Sequence, residues 1–148
     1  MILTSVPAGA HVQTVFTDPF TGLLAEPLPQ QPRIFIETST IEVSTSIAVR
    51  QAVEAASPNF KFLDAPVSGG IPMAAQGKLT IMCGGDERVF EQARSTLELF
   101  GKKENLFLCG DAGAGLATKQ INNYVAFVSF IGLCEGAFAR SQYLITFG

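Results

Sequence analysis

The sequence predicts an α/β fold built on a mostly parallel or mixed sheet and followed by one long helix. Three observations carry that prediction. Short apolar, β-branched runs of strand length alternate with segments of helical period. Each run stops at Pro, Gly, Ser, Thr or Asp, residues that end strands and open turns or helices. The last apolar segment is far longer than a strand and is apolar on every side. The chain has 148 residues, the size of one ordinary domain or a little more.

The elements follow in order. Ile2 to Val6 reads as a strand that stops at Pro7-Ala8-Gly9. His11 to Phe16 fits a short helix or a turn. Thr17 to Pro32 reads as a loop, since it holds Pro19, Pro27, Pro29 and Pro32. Arg33 to Glu37 is a second strand, and Thr38-Ser39-Thr40 after it can cap a helix. That helix runs from about Ser44 to Ala56, with Ile47, Val49, Ala52, Val53 and Ala56 near helical spacing. Phe60 to Asp64 is a third strand, Val67 to Gly77 a glycine-rich loop, and Leu79 to Cys83 a strand closed by Gly84-Gly85. Asp86 is a good N-cap for a helix over Glu87 to Phe100, whose Phe90, Ala93, Leu97 and Phe100 make one buried face. Asn105 to Cys109 is a strand, and the long helix runs from Ala114 to about Tyr143.

Composition excludes several classes. Hydrophobic residues make up 47% and charged residues 16%, against about 25% charged in a typical soluble domain. Mean hydropathy is +0.31. Disorder needs the opposite balance. Ten basic against 13 acidic residues give a net charge of −3, the wrong sign for a nucleic-acid module. The three cysteines, Cys83, Cys109 and Cys134, form no close pair, which argues against a disulfide framework or a zinc site. The N-terminus has neither the basic and apolar regions of a secretory signal nor the arginines of a transit peptide. The longest apolar stretch, Tyr124 to Cys134, ends at Glu135, short of the ~20 residues a spanning helix needs. No membrane and no nucleic acid are therefore expected as partners. The apolar excess implies either a large core or surface that another body covers.

Three segments can carry chemistry. Asp64-Ala65-Pro66-Val67-Ser68-Gly69-Gly70, with Gly77 and then Leu79 to Gly85 behind it, offers a hydroxyl and successive unobstructed N–H groups. Such a nest suits a carboxylate or phosphate; the alternative is a tight turn that needs glycine. Lys119, Asn122 and Asn123 share a helix face by their spacing. In an apolar helix they cost free energy unless paired or solvated in a cleft; the alternative is a solvated face. Val6 to Gly9 and Glu37 to Thr40 each lie past the carboxyl end of a strand, where open α/β sheets bind ligands.

DAPVSGG, then LTIMCGG, then GDAGAGLATKQINN resembles the 3-hydroxyisobutyrate dehydrogenase family of β-hydroxyacid dehydrogenases, over about Ile2 to Ala139. The pair Asn122-Asn123 points to this branch, because 6-phosphogluconate dehydrogenases place His-Asn there. The resemblance implies a partial Rossmann-like NAD(P)-binding domain of the 6-phosphogluconate dehydrogenase type over residues 1–110. Residues 111–148 would start a C-terminal helical domain. It implies an NAD(P)-dependent oxidoreductase that moves a hydride between a small β-hydroxyacid and nicotinamide, within valine catabolism. Lys119 would be the general acid/base and Asn123 the second catalytic residue. Ser68, Gly69, Gly70 and Asn122 would bind substrate. Val6, Pro7, His11 and Thr40 would line NAD or NADP, although a solvated role for His11 is equally open. No metal is implied.

The pattern also departs from the family. No strand followed by GxGxxG is present, so the diphosphate cradle of a dinucleotide site and the ribose-selecting residue are missing. Gly110 to Gly115 precedes the long helix and is not a substitute. Met73 stands where the family has Gly or Ala and crowds the substrate loop, and Arg140 to Gly148 has no counterpart. The expectation is a chain truncated at both ends, with a homo-oligomer forming through its C-terminal helix. The alternative function is a non-catalytic fragment or pseudoenzyme that acts as a binding or dimerising module. The expected compartment is mitochondrial or cytoplasmic.

Overall fold

Strand β1 (Ile2–Thr4), helix α1 (Gly9–Thr17), strand β2 (Arg33–Glu37), helix α2 (Val43–Ala56) and strand β3 (Phe60–Asp64) form two consecutive β-α-β units in a computed structural model that describes residues 1–28 and 31–146. The three strands are parallel and in register, with Ile2 opposite Phe35 and Phe35 opposite Phe62. The chain then reverses. Strand β4 (Val67–Ser68) continues β3 after a two-residue break, and both lie antiparallel to β5 (Leu79–Gly84). Strand β6 (Gly101–Gly110) returns parallel to β5 on its other side. The sheet is therefore mixed.

Alternation along the strands sorts two cores. On one face Phe35, Phe60 and Phe62 meet Val12 and Phe16 of α1 and Val49 and Val53 of α2. The Phe16 ring lies 5.6 Å from Phe35 and 5.9 Å from Phe62, in tilted or edge-on contact. On the other face Ile36, Leu63, Ile81 and Cys83 meet Val89, Phe90, Ala93 and Leu97 of helix α4 (Glu87–Leu97). That helix is capped as its sequence predicts: Asp86 Oδ1 accepts from Arg88 N at 2.9 Å and Val89 N at 3.1 Å.

Four elements differ from the sequence reading. The segment from Val67 to Gly77 is not all loop: after β4 it forms helix α3 (Gly70–Ala75). Thr38-Ser39-Thr40 does not cap α2, whose N-cap is Glu42 without a side-chain bond; the Thr38 hydroxyl donates to Thr4 O and the Ser39 hydroxyl accepts from Val6 N. Helix α4 ends at Leu97 rather than Phe100, tightening into bonds from Leu99 N to Thr96 O and Phe100 N to Leu97 O. Strand β6 begins at Gly101, and Lys102-Lys103-Glu104, all solvent-facing, hid its first half. Pro29 and Gln30 of the expected loop, and Phe147 and Gly148 at the end, lie outside the described residues.

Helix α5 (Ala114–Thr146) is long, as expected. Only its first turns enter the α/β layer, through Leu116 and Lys119. From Ile121 onward Tyr124, Phe127, Phe130, Leu133 and Phe138 are exposed. By length and composition alone α5 is sufficient to cross a membrane, a property the sequence reading did not assign to it. Its root, however, is built into the sheet.

Candidate active site

The carboxyl ends of β1, β2 and β3 share one edge because the strands are parallel. Thr4, Glu37 and Asp64 stand in register across that edge and share a sheet face. The loops beyond are tied together. Val6 N donates to Ser39 Oγ at 2.8 Å. Thr38 donates to Thr4 O twice, from N at 2.9 Å and from Oγ1 at 2.8 Å. Ser39 N donates to Glu37 Oε1 at 2.9 Å. Val6 and the Thr38 to Thr40 segment are thus one unit, with Pro7 and Thr40 exposed along it. His11 is exposed on α1 and forms no side-chain hydrogen bond among the described residues.

Glu37 is fully buried, and its Oε2 has no partner; neither has the buried Oγ1 of Thr4 opposite it. Burial raises the Glu37 carboxyl above its ordinary pKa, and the charge of Asp64 adds to the rise. Asp64 is also fully buried. Its Oδ1 accepts from Gly113 N at 2.7 Å and its Oδ2 from Leu116 N at 2.9 Å. It therefore satisfies two of the orphan N–H groups at the start of α5 and meets the positive end of the helix dipole. Glycines make this approach possible. A Cβ on Gly84 would lie 2.6 Å from Asp64 Oδ1, and one on Gly115 would lie 2.8 Å from Asp64 Oδ2 and press on the Met82 carbonyl oxygen.

Lys119 sits about one turn beyond Leu116 and is 7% exposed. Its ammonium has no ion pair or hydrogen bond among the described residues, and burial lowers its pKa. Gln120 Nε2 donates to Ile41 O at 2.9 Å, which fixes the same turn to the loop after β2. The shared face expected for Lys119, Asn122 and Asn123 divides: Asn123 is half-buried on the Lys119 side, while Asn122 is exposed. Ser68 is half-buried opposite Thr80 on β5. Gly69 and Gly70 are exposed at φ +136° and +64°, and a Cβ on Gly69 would lie 2.6 Å from Met73 Cβ. The glycines there meet a backbone need.

The fold tests the diphosphate question directly. Gly110 to Gly115 lies between a strand and a helix, as a phosphate-binding turn does. Its helix N-terminus is already filled by the Asp64 carboxylate. An anion has no place there. Among the described residues, the strand-end loops with Val6 and the exposed Pro7 and Thr40 remain open to a dinucleotide. Sequence reasoning missed Glu37 and Asp64 as organising groups. The signal was a lone acid closing each apolar strand, RIFIE and FKFLD.

Two parallel β-α-β units with a polar carboxyl edge and a helix anchored against it define an open α/β domain of the dinucleotide-binding class. The chain belongs to the family described as the NAD binding domain of 6-phosphogluconate dehydrogenase, which matches residues 1–110. Membership makes NAD or NADP the cofactor class of the fold. A probable mitochondrial 3-hydroxyisobutyrate dehydrogenase of Arabidopsis thaliana is 36% identical over 97% of this chain and 43% of its own length. An NAD-dependent L-serine dehydrogenase of Pseudomonas aeruginosa is 38% identical over 91% of this chain and 43% of its own. The structure of Mycobacterium tuberculosis 3-hydroxyisobutyrate dehydrogenase with L-serine superposes at a TM-score of 0.82 and 38% identity, covering 96% of this chain and 45% of that one. The chain spans about half the length of the curated relatives it matches.

Proposed function

We propose that the chain carries the proton-transfer and substrate-binding part of an NAD(P)-dependent dehydrogenase acting on a small β-hydroxyacid of the 3-hydroxyisobutyrate type. The observation that carries this reading is Lys119, a buried ammonium without a counter-ion, anchored through Asp64 to the strand that leads into Ser68-Gly69-Gly70. Desolvation favours the neutral amine, the form a general base requires. Nζ of Lys119 takes the substrate hydroxyl proton in oxidation and returns it in reduction. Asn123, one turn on, hydrogen-bonds the substrate beside it, and Asn122 contacts it from the exposed side. The Ser68 hydroxyl and the N–H groups of Gly69 and Gly70 hold the carboxylate. The dinucleotide, when bound, supplies the hydride acceptor; Val6, Pro7, His11 and Thr40 line it. With 3-hydroxyisobutyrate as substrate the reaction belongs to valine catabolism.

In this reading residues 1–110 are the dinucleotide-binding part, and α5 opens a second, helical domain whose apolar faces pair with another copy. The compartment is mitochondrial or cytoplasmic; the Arabidopsis relative is described as mitochondrial. A second reading, a binding or dimerising module without turnover, is favoured by one observation: the described residues include no diphosphate cradle. An assay separates the two. 3-Hydroxyisobutyrate and L-serine are offered with NAD⁺ and with NADP⁺ at high enzyme concentration. Slow dinucleotide reduction that is lost in Lys119→Ala is the expected result, at least 100-fold below the parent chain for a lost general base. No reduction with either substrate selects the binding module.

A further inference from the structure

We propose that Asp64 is a positioning residue that sets Lys119 against the substrate loop by holding the start of α5 to the end of β3. The inference rests on the dehydrogenase reading for the role of Lys119, and goes beyond it in naming what places that side chain.

The argument is geometric. The two bonds accepted by Asp64 span 49 and 52 residues of sequence. Each carboxylate oxygen takes one N–H, so the group fixes both the position and the rotation of the first turn of α5. Lys119 is three residues past Leu116, about 4.5 Å along the helix axis. Ser68 is four residues past Asp64, within about 13 Å of extended chain. The carboxylate is therefore joined to each half of the proposed site by a short connection. Gly84 and Gly115 wall it in, and neither tolerates a Cβ against its oxygens. The site is cut for this group. Its two oxygens face the N–H groups at the positive end of the α5 dipole. Burial alone shifts Lys119, so Asp64 acts on it through the backbone.

The isosteric variant Asp64→Asn tests this. An amide has one acceptor oxygen, so one of the two N–H groups faces a donor instead. The control is Asp86→Asn, which makes the same change at the N-cap of α4, a helix that carries no part of the site. Both are made in the full 148-residue chain, without cofactor. NMR follows the Lys119 side-chain titration and the amide exchange of Gly113 and Leu116. In D64N, Lys119 is expected to titrate upward by about half a unit or more as its burial loosens. The two amides are expected to exchange about tenfold faster or more, while amides of β2 and α4 keep their protection. D86N leaves the Lys119 titration where it was. Asp64→Ser, which keeps one short acceptor, gives an intermediate result if D64N folds poorly. An unchanged Lys119 titration in both Asp64 variants, or an equal shift in D86N, overturns the proposal. A chain that shows these shifts and turns nothing over keeps the positioning role and loses the dehydrogenase reading.

Discussion

Glu37 and Asp64 are neighbours in register, yet burial treats them differently. Asp64 has two strong donors at a helix N-terminus. Glu37 has one donor for two oxygens and sits where its charged form is disfavoured. The sign of its pH dependence follows. Below the usual carboxylate range, about pH 4, folded and unfolded chains both hold the proton. As pH rises past it the unfolded chain releases its proton first, so stability falls until the folded carboxyl ionises. Glu37→Gln lacks this loss, and its amide offers a donor toward the unpartnered Thr4 Oγ1. E37Q is expected to match the parent below about pH 4 and to melt higher near neutrality. The gain is on the order of 4 °C, the equivalent of about 1 kcal/mol in a chain this long. Melting curves across pH check it; a variant that melts lower at neutral pH removes the burial argument. Glu37 and Asp64 are each visible in the sequence as an acid closing an apolar strand. The partners of Asp64 were not visible, because Gly113 and Leu116, 49 and 52 residues on, are brought in by the fold.

Elements whose signals are local were legible: β2, β3, the Asp86-capped start of α4, and α5 lie where the patterns put them. Elements decided at long range were not. Thr38-Ser39-Thr40 looks like a helix cap, but Thr38 Oγ1 donates to Thr4 O and Ser39 Oγ accepts from Val6 N. Lys102 to Glu104 carries no strand pattern, but Gly101 before it and Leu106 after it both pair with β5 across a register shift. Helix α5 is legible in its exposure too: its composition implies surface that another body covers, and past its first turns its apolar residues face outward, Phe127 and Phe130 each being 63% exposed. Exposed surface of that kind drives association. Light scattering is expected to find the chain as a dimer or larger at concentrations where Phe127→Ser with Phe130→Ser is smaller. The melting temperature should hardly move, since these rings bury nothing in the domain. Equal size for both chains removes α5 as the contact.

At the scale of the whole molecule the fold explains where an apolar fraction of 47% goes. Part fills the two sheet faces, and part lies on α5 and at Met1 and Leu3 beside β1, uncovered. The site divides along the same line. The groups proposed for proton transfer and carboxylate binding are tied to the sheet through Asp64, whereas the residues proposed for the dinucleotide stand at strand ends. The glycine-rich turn from β6 into α5, Gly110 to Gly115, is closed to phosphate by Asp64. A dinucleotide held without its diphosphate cradled lacks the charge-assisted N–H contacts that such sites use. Calorimetry of this chain with NADH and NADPH is therefore expected to show no saturable heat at micromolar ligand and weak binding, with a Kd near a millimolar, for both. Discrimination between the two should be small, because no residue selecting the ribose stands at these strand ends. Micromolar affinity for either would place a diphosphate site among residues where the structure offers none. It would mean that Asp64 can be displaced from the start of α5, which would free Lys119 at the same time.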